Sequence, residues 1–272
     1  MQRSLTGLWQ VSPLTDLSIP QDDITFPAAL SSVLPQSLSE EQISQSEWHL
    51  MHFSDVDSAM LSCSSVDLVL SGVSHFAEVR VNGVAVFDCT DRNERYRKDI
   101  KPYLQEGGNR FEILFLEQDD DWLLDDEEFD TQPELCLLDM PNKAKDWLQS
   151  DEMGVWGESY LQFIRHVRLE QITTEQIWHH SGCELKVDLY YQTLSAGLVS
   201  ASVKFDGRTY MVPIDVRQNH TSVLFQVDAP RYWNPEHPQD NDLYLIEVEL
   251  DGQKHHIQIG LSESQCAAHF PL

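Results

Sequence analysis

The sequence predicts an all-β protein of two successive sandwich domains, and three observations carry this. Apolar residues recur at every second position along most of the chain. The segments so patterned are joined by Asn-Gly and Asp-Gly pairs, and the length of 272 residues is close to two domains of the usual ~150 residues. Strict alternation is the mark of a strand with one buried face. Asn-Gly or Asp-Gly between two such runs is the strongest short-range hairpin signal, because both turn residues accept positive φ.

Taken in chain order, Val66, Leu68 and Leu70 alternate, then Ala77, Val79 and Val81, with Asn82-Gly83 leading into Val84 and Val86. Phe111, Ile113 and Phe115 form a further strand after Gly107-Gly108-Asn109, and the stretch Asp99 to Gln105 reads as a short helical turn crossing between sheets. The other helical stretch is Ser37 to Trp48, where Ser39 and Gln42 have capping-box spacing. Beyond Thr173 the alternation persists but the units change. Leu185, Val187 and Leu189 share a face, Val199 to Phe205 run into Asp206-Gly207, and Tyr244 to Leu250 run into Asp251-Gly252 before Ile257 and Ile259. About seven short strands with two Asp-Gly turns fit an immunoglobulin-like sandwich. The expected division is a larger all-β domain at 1–172 and a smaller sandwich at 173–272.

Composition excludes several functions. With 18 basic and 45 acidic residues the formal charge is −27, which repels nucleic acid and anionic lipid at long range. Hydrophobic residues at 41% are too many for a disordered chain. Five scattered cysteines with no CxxC pair, and a start without a basic and then apolar leader, predict reduced thiols and a cytoplasmic setting. No membrane association is expected.

Catalytic signatures are sparse. Gly72-Val-Ser74-His-Phe76 resembles a nucleophile elbow but has Phe76 for the last glycine and precedes a strand, so it reads as a turn. His49 and His52, three apart on a strand pattern, point to opposite faces and do not share a metal. The densest feature is Glu117 to Asp130, nine carboxylates in fourteen positions. Asp119, Asp120 and Asp121 have the hard oxygen ligands calcium takes, although no glycine sits where an EF-hand loop turns, and a solvated acidic loop is the plainer reading. No other cofactor is expected. Trp122 beside Asp121 also suits a sugar platform, an indole face meeting pyranose C–H bonds while a carboxylate accepts hydroxyl hydrogens. Trp147 and Trp156 are further stacking candidates, and Trp178 and Trp233 lie near expected domain edges.

Several segments, in order, resemble the front of glycoside hydrolase family 2 enzymes, the β-mannosidase-like branch above all. They are Leu5-Thr-Gly-Leu-Trp9, Leu70-Ser-Gly72, Ala77-Glu-Val-Arg-Val-Asn-Gly83, Tyr96-Arg-Lys-Asp-Ile100, Tyr103 to Asn109, Phe111-Glu-Ile-Leu-Phe115, and later Ala229-Pro-Arg-Tyr-Trp233-Asn-Pro235, Leu243 to Leu250 and Ile257-Gln-Ile-Gly260. The resemblance implies a sugar-binding-like jelly roll (galactose-binding-like) followed by an immunoglobulin-like sandwich. In that family a (β/α)₈ barrel with two catalytic glutamates follows. Here twelve residues remain after Gly260, against roughly 200 or more for a barrel, and Asn93-Glu94 lies in a polar loop. Mannosidase-like members also carry a Trp-Asp-Trp-Gly-Pro segment; Gly154-Val155-Trp156-Gly157-Glu158 keeps the second tryptophan and the glycine but has Val155 at the acidic position. In a second register Gly154-Val-Trp156 opens the following strand. No catalytic residue is therefore expected. The implied function is non-catalytic: binding of mannose- or galactose-containing carbohydrate, or support of a separate catalytic chain. The alternatives are a hydrolase with a non-standard carboxylate pair, such as Asp121 with Glu128, and an interaction module that docks a partner or a second copy.

Overall fold

The computed structural model describes residues 1–117, 152–180, 182–233, 242–262 and 267–271. These divide into two compact units, with the change-over between Phe163 and Ile164. The boundary read from sequence, at 172, falls inside Val167–His179, which is one continuous strand.

The strands of the first unit are β1 (Gln2–Ser4), β2 (Leu8–Pro13), β3 (Asp22–Thr25), β4 (Ala28–Ala29), β5 (Trp48–Val56), β6 (Ser65–Ser71), β7 (Ala77–Val81), β8 (Val84–Cys89), β9 (Arg95–Asp99), β10 (Gly107–Phe115), β11 (Gly154–Val155) and β12 (Ser159–Ile164). They build a four-stranded sheet in the order β1-β12-β6-β9 and a six-stranded sheet in the order β3-β2-β5-β10-β7-β8, with β11 paired to β4. The inward positions of both sheets meet in one core that includes Trp9, Trp48, Leu68, Phe111, Phe115 and Phe163. Each such side chain contributes about 1.5–3 kcal/mol by leaving water. Two of them are also pinned by hydrogen bonds, as the indole N–H of Trp9 donates to Leu5 O (2.6 Å) and that of Trp48 to Ile43 O (2.9 Å).

The helical stretch expected over Ser37 to Trp48 is shorter. Only Glu40–Ser44 is helical, opened by the capping box of Ser39 and Gln42. Trp48 is drawn fully into the core and starts β5 instead, so burial of the indole overrides continuation of the helix. The crossing turn is present as a 3₁₀ turn at Lys101–Tyr103, carrying the chain from β9 in one sheet to β10 in the other.

The Asn82-Gly83 turn has φ of 52° and 82°, and Asn82 does more than turn. Its amide donates to Tyr103 O (2.8 Å) and Asn109 Oδ1 (2.9 Å) and accepts from the Arg110 N–H (2.9 Å). The fully buried Asn109 in turn donates to Gln105 O and Gly107 O and accepts from the Gln105 N–H, so the polar groups beneath the hairpin are satisfied.

The second unit has β13 (Val167–His179), β14 (Gly182–Thr193), β15 (Ser200–Phe205), β16 (Arg208–Pro213), β17 (His220–Val227), β18 (Leu243–Leu250), β19 (Gln253–Gly260) and β20 (Ala267–Pro271). Two four-stranded sheets, β17-β14-β13-β20 and β16-β15-β18-β19, enclose a core in which Phe205 packs against Phe225 (centroids 5.3 Å) and Tyr244 (5.2 Å). Both Asp-Gly hairpins have the expected positive φ at both residues. The chain is thus all-β, a jelly-roll sandwich followed by an immunoglobulin-like one.

Candidate functional site

Trp156 is the sequence-derived candidate that falls among the described residues. Trp122, Trp147, Asp119, Asp120 and Asp121 lie outside them. Among the described residues no group of three or more His, Cys, Asp or Glu side chains is placed to hold a metal ion.

Trp156 follows β11 and precedes β12, where the chain is fastened to the end of β6. Its N–H donates to Gly72 O (2.9 Å), the Gly157 N–H donates to Ser71 O (3.1 Å), and the Ser71 N–H donates to Glu158 O (3.1 Å). Both flanking glycines are required by close approach. A Cβ on Gly154 would lie 2.4 Å from Ala28 O, and one on Gly157 would lie 2.6 Å from Ser71 O. Val155 is fully buried and bridges to Val73. The position where mannosidase-like segments hold a carboxylate is therefore a core position here, which suits valine. Trp156 itself is half-buried.

Ser74, the elbow-like serine, ties the same junction. Its hydroxyl oxygen accepts from the Gly154 N–H (2.8 Å) and lies 2.9 Å from His75 Nδ1 and 3.2 Å from Gly154 O. The segment runs into β7 rather than a helix, so the serine serves as a fastening.

Next to this junction lies a polar sheet face that the sequence reading missed. Val66, Leu68 and Leu70 of β6, with Leu161 and Phe163 of β12, point into the core; the alternate positions Asp67 and Ser71, Tyr160 and Gln162, and on β9 Arg95 and Arg97, take the opposite face. Asp67 accepts from Arg97 Nε (2.7 Å) and from the Ser65 hydroxyl (2.6 Å), and both ends of the ion pair are well buried. The Arg95 guanidinium donates to the Tyr160 hydroxyl and stands 5.8 Å from the centre of its ring. Burial pushes the Tyr160 hydroxyl above its ordinary range against the opposing pull of Arg95, so it is a neutral O–H at physiological pH. The β6–β9 register sets Arg95 opposite Ser71. Arg95 on one side and Trp156 on the other therefore flank the same end of β6, where the face opens from buried Asp67 toward half-buried Arg95 and exposed Glu158. The sequence signal was present: Ser65 and Asp67 interrupt an otherwise apolar run at alternate positions, and Arg95 and Arg97 do the same opposite them.

The histidines behave as their spacing predicts. His49 faces outward with Nε2 3.0 Å from Glu112, a nearly buried carboxylate that also accepts from the Gly83 N–H (3.2 Å) and pairs with Arg110 (3.1 Å). His52 faces the core, where it stacks on Trp9 at 5.1 Å with its Nδ1–H donated to Leu8 O.

Residues 35–147 match the family model described as the glycosyl hydrolase 2 galactose-binding domain-like domain. Among solved structures the chain is similar to the β-D-mannosidase of Dictyoglomus thermophilum (TM-score 0.69, 15% identity, covering 96% of this chain and 36% of that one). It is also similar to a β-galacturonidase from Eisenbergiella tayi bound to galacturonate (0.62, 18%, 96% and 43%) and to a β-glucuronidase from an uncultured Clostridium sp. (0.60, 15%, 96% and 44%). No curated protein sequence matches it. The chain resembles the N-terminal jelly roll and immunoglobulin-like domain of family 2 glycoside hydrolases and spans less than half the length of these enzymes. No helix among the described residues is long and apolar enough to cross a membrane.

Proposed function

We propose that this chain is a non-catalytic carbohydrate-binding or accessory module related to family 2 glycoside hydrolases, with a mannose- or galactose-containing glycan seated at the Trp156 and Arg95 end of the first sandwich. The observation that carries the reading is that the Trp156 segment is fastened to the same end of β6 that pairs with Arg95, whose guanidinium bonds the Tyr160 phenol, in a chain whose residues 35–147 match a galactose-binding-like family model. An indole face accepts pyranose C–H bonds, and the polar groups supply both donors and acceptors for hydroxyls.

Calorimetric titration with mannose, galactose and their β-linked oligomers tests this. Binding in the millimolar to micromolar range is expected, about −4 to −8 kcal/mol, weakened roughly tenfold, or about 1.4 kcal/mol, by Trp156→Ala or Arg95→Met. Flat titrations would reject sugar binding. Release of nitrophenol from an aryl β-mannoside by the purified chain, lost in Asp121→Asn, would establish the hydrolase reading in its place.

A further inference from the structure

One flank of the second sandwich ends in a strand edge that its own residues leave unguarded. Among the described residues β17 is the outermost strand of its sheet, paired only to β14. The register runs without a bulge from His220 opposite Tyr190 to Val227 opposite Cys183, and the eight residues of β17 include no proline and no Asp, Glu, Lys or Arg. Exposed edges are ordinarily guarded by charge, proline or a bulge. The other described edges keep such guards: β1, β3, β8, β9, β16 and β19 each carry charged residues, and β20 ends in Pro271. The polar groups along β17 are assigned by its pairing. The Tyr191 N–H donates to Asn219 O (2.8 Å), so the backbone of the odd-numbered positions turns toward β14, and the N–H and C=O of Ser222 and Leu224 face the open side. Gln226 has the same phase, and its carbonyl on that side accepts from the Arg208 guanidinium of β16 (2.8 Å). Apolar surface stands at the same flank: Leu224 is 48% exposed, and Tyr210, whose ring meets Phe225 of β17 edge-on at 5.0 Å, is 43% exposed.

A row of edge N–H and C=O groups takes an extended backbone. We propose that the occupant is a second copy of this chain, its β17 pairing antiparallel with the first about a two-fold axis at Val223. In that register Ser222 exchanges both backbone hydrogen bonds with Leu224 of the second copy, and the sheet continues from one chain into the other. The strand is its own complement. Val223 meets Val223, and Thr221 meets Phe225, a β-branched pair and a β-branched–aromatic pair of the kind that stabilises neighbouring strands, and no charge is set against its like. The same two-fold pairing at β9 would bring arginines into register. A chain of net charge −27 repels its copy over most approaches, so an uncharged edge is where two copies meet with least repulsion. The contact lies wholly in the second unit and stands independently of the Trp156 site.

Sedimentation equilibrium of the full chain at two ionic strengths tests it. A monomer–dimer equilibrium with a micromolar to millimolar Kd is expected, and raising salt from about 0.05 to about 0.5 M should tighten it severalfold, because screening relieves the repulsion between like-charged copies. Leu224→Lys sets a charge at an exposed edge position and should weaken dimerisation about tenfold or more. Leu245→Lys makes the same change of charge at a position 44% exposed on β18, a strand paired on both sides, and should leave the dimer as strong as wild type. Hydrogen exchange supplies the signature of strand pairing: the amides of Ser222 and Leu224 gain protection as the chain is concentrated, whereas that of Val223, already bonded to β14, does not change. The proposal is overturned if the chain stays monomeric at about 1 mM in high salt, if Leu224→Lys dimerises like wild type, if Leu245→Lys weakens the dimer equally, or if a dimer forms with those two amides unprotected. Protection of the two amides in a monomer, brought on only by an added extended peptide, would give the edge to a different strand and overturn it as well.

Discussion

Asp251 should be one of the most sensitive positions of the second sandwich, for a reason that its place in an Asp-Gly hairpin conceals. One carboxylate oxygen, Oδ2, accepts three consecutive backbone N–H groups, those of Arg165 (3.1 Å), His166 (2.6 Å) and Val167 (3.0 Å). Its own backbone is left-handed at φ 49°. A hydrogen bond to a charged group contributes about 1.5–3 kcal/mol, but three sharing one half-exposed oxygen do not add, so about 3 kcal/mol is a fair total. Asp251→Gly removes all three while keeping the backbone relaxed, and should cost about 3 kcal/mol. Asp251→Ala adds the left-handed penalty of about 1 kcal/mol for a residue with a Cβ, for about 4. Asp251→Asn keeps a neutral acceptor of roughly half the strength and should cost about 1.5 kcal/mol. Native-state hydrogen exchange at residues 165–167, together with urea unfolding read from the second sandwich alone, measures these, since a chain with two units need not unfold in one step. An alanine variant within about 0.5 kcal/mol of wild type, the error of ordinary surface substitutions, or one more stable than the glycine variant, would refute the reasoning.

Two further outcomes are expected. Gly157→Ala should destabilise the first sandwich by about 1–3 kcal/mol, because its Cβ meets backbone atoms of Ser71 that cannot swing aside; Gly108→Ala, whose Cβ would meet only Asp55 Oδ1 at 3.7 Å, is the control, and thermal melts of the two variants compare them. Cys89 is the alkaline probe: burial first, then the charges of Asp88 and Glu94, push its thiol from 9.0 up to about 12. Because the folded form holds this proton more tightly than the unfolded one, stability is full below pH 9 and falls as pH rises from about 9 toward 12. Cys89→Ser should flatten that decline in urea midpoints measured across the range, and wild-type Cys89 should resist alkylation at pH 8.

Most of the fold was legible because it is written in contacts between neighbours in sequence. Alternation along β7 and β10 and the turn residues Asn82-Gly83, Asp206-Gly207 and Asp251-Gly252 each state a local preference that the tertiary structure keeps. The end of the first helix was not legible, because it depends on Trp48 finding a pocket made by distant strands. The same holds for Asp251 and for the nearly fully buried Gln253, which donates to Val167 O and accepts from the Leu169 N–H across more than eighty residues. Nothing local distinguishes a turn carboxylate that reaches across a sandwich from one that only turns. The family-like segments carried more than their motifs alone: Asn82 and Asn109 fall in separate matched stretches and are joined by a side-chain hydrogen bond, while within one stretch the Trp9 indole N–H donates to Leu5 O.

Charge shows most clearly where composition misleads. A net charge of −27 governs what approaches from beyond a Debye length of about 8–10 Å, and at that range it turns away polyanions. Within that distance local groups decide, and the opening at the end of β6 is set by Arg95 and Arg97 against Asp67, with Tyr160 held neutral. Arg97 is compensated by the carboxylate it touches, and Arg95 donates to a phenol that is itself neutral. A ligand rich in hydroxyls satisfies such donors with no charge of its own. If the proposed glycan binds at this end of β6, its affinity should change little as salt is raised, which calorimetric titration at two ionic strengths checks.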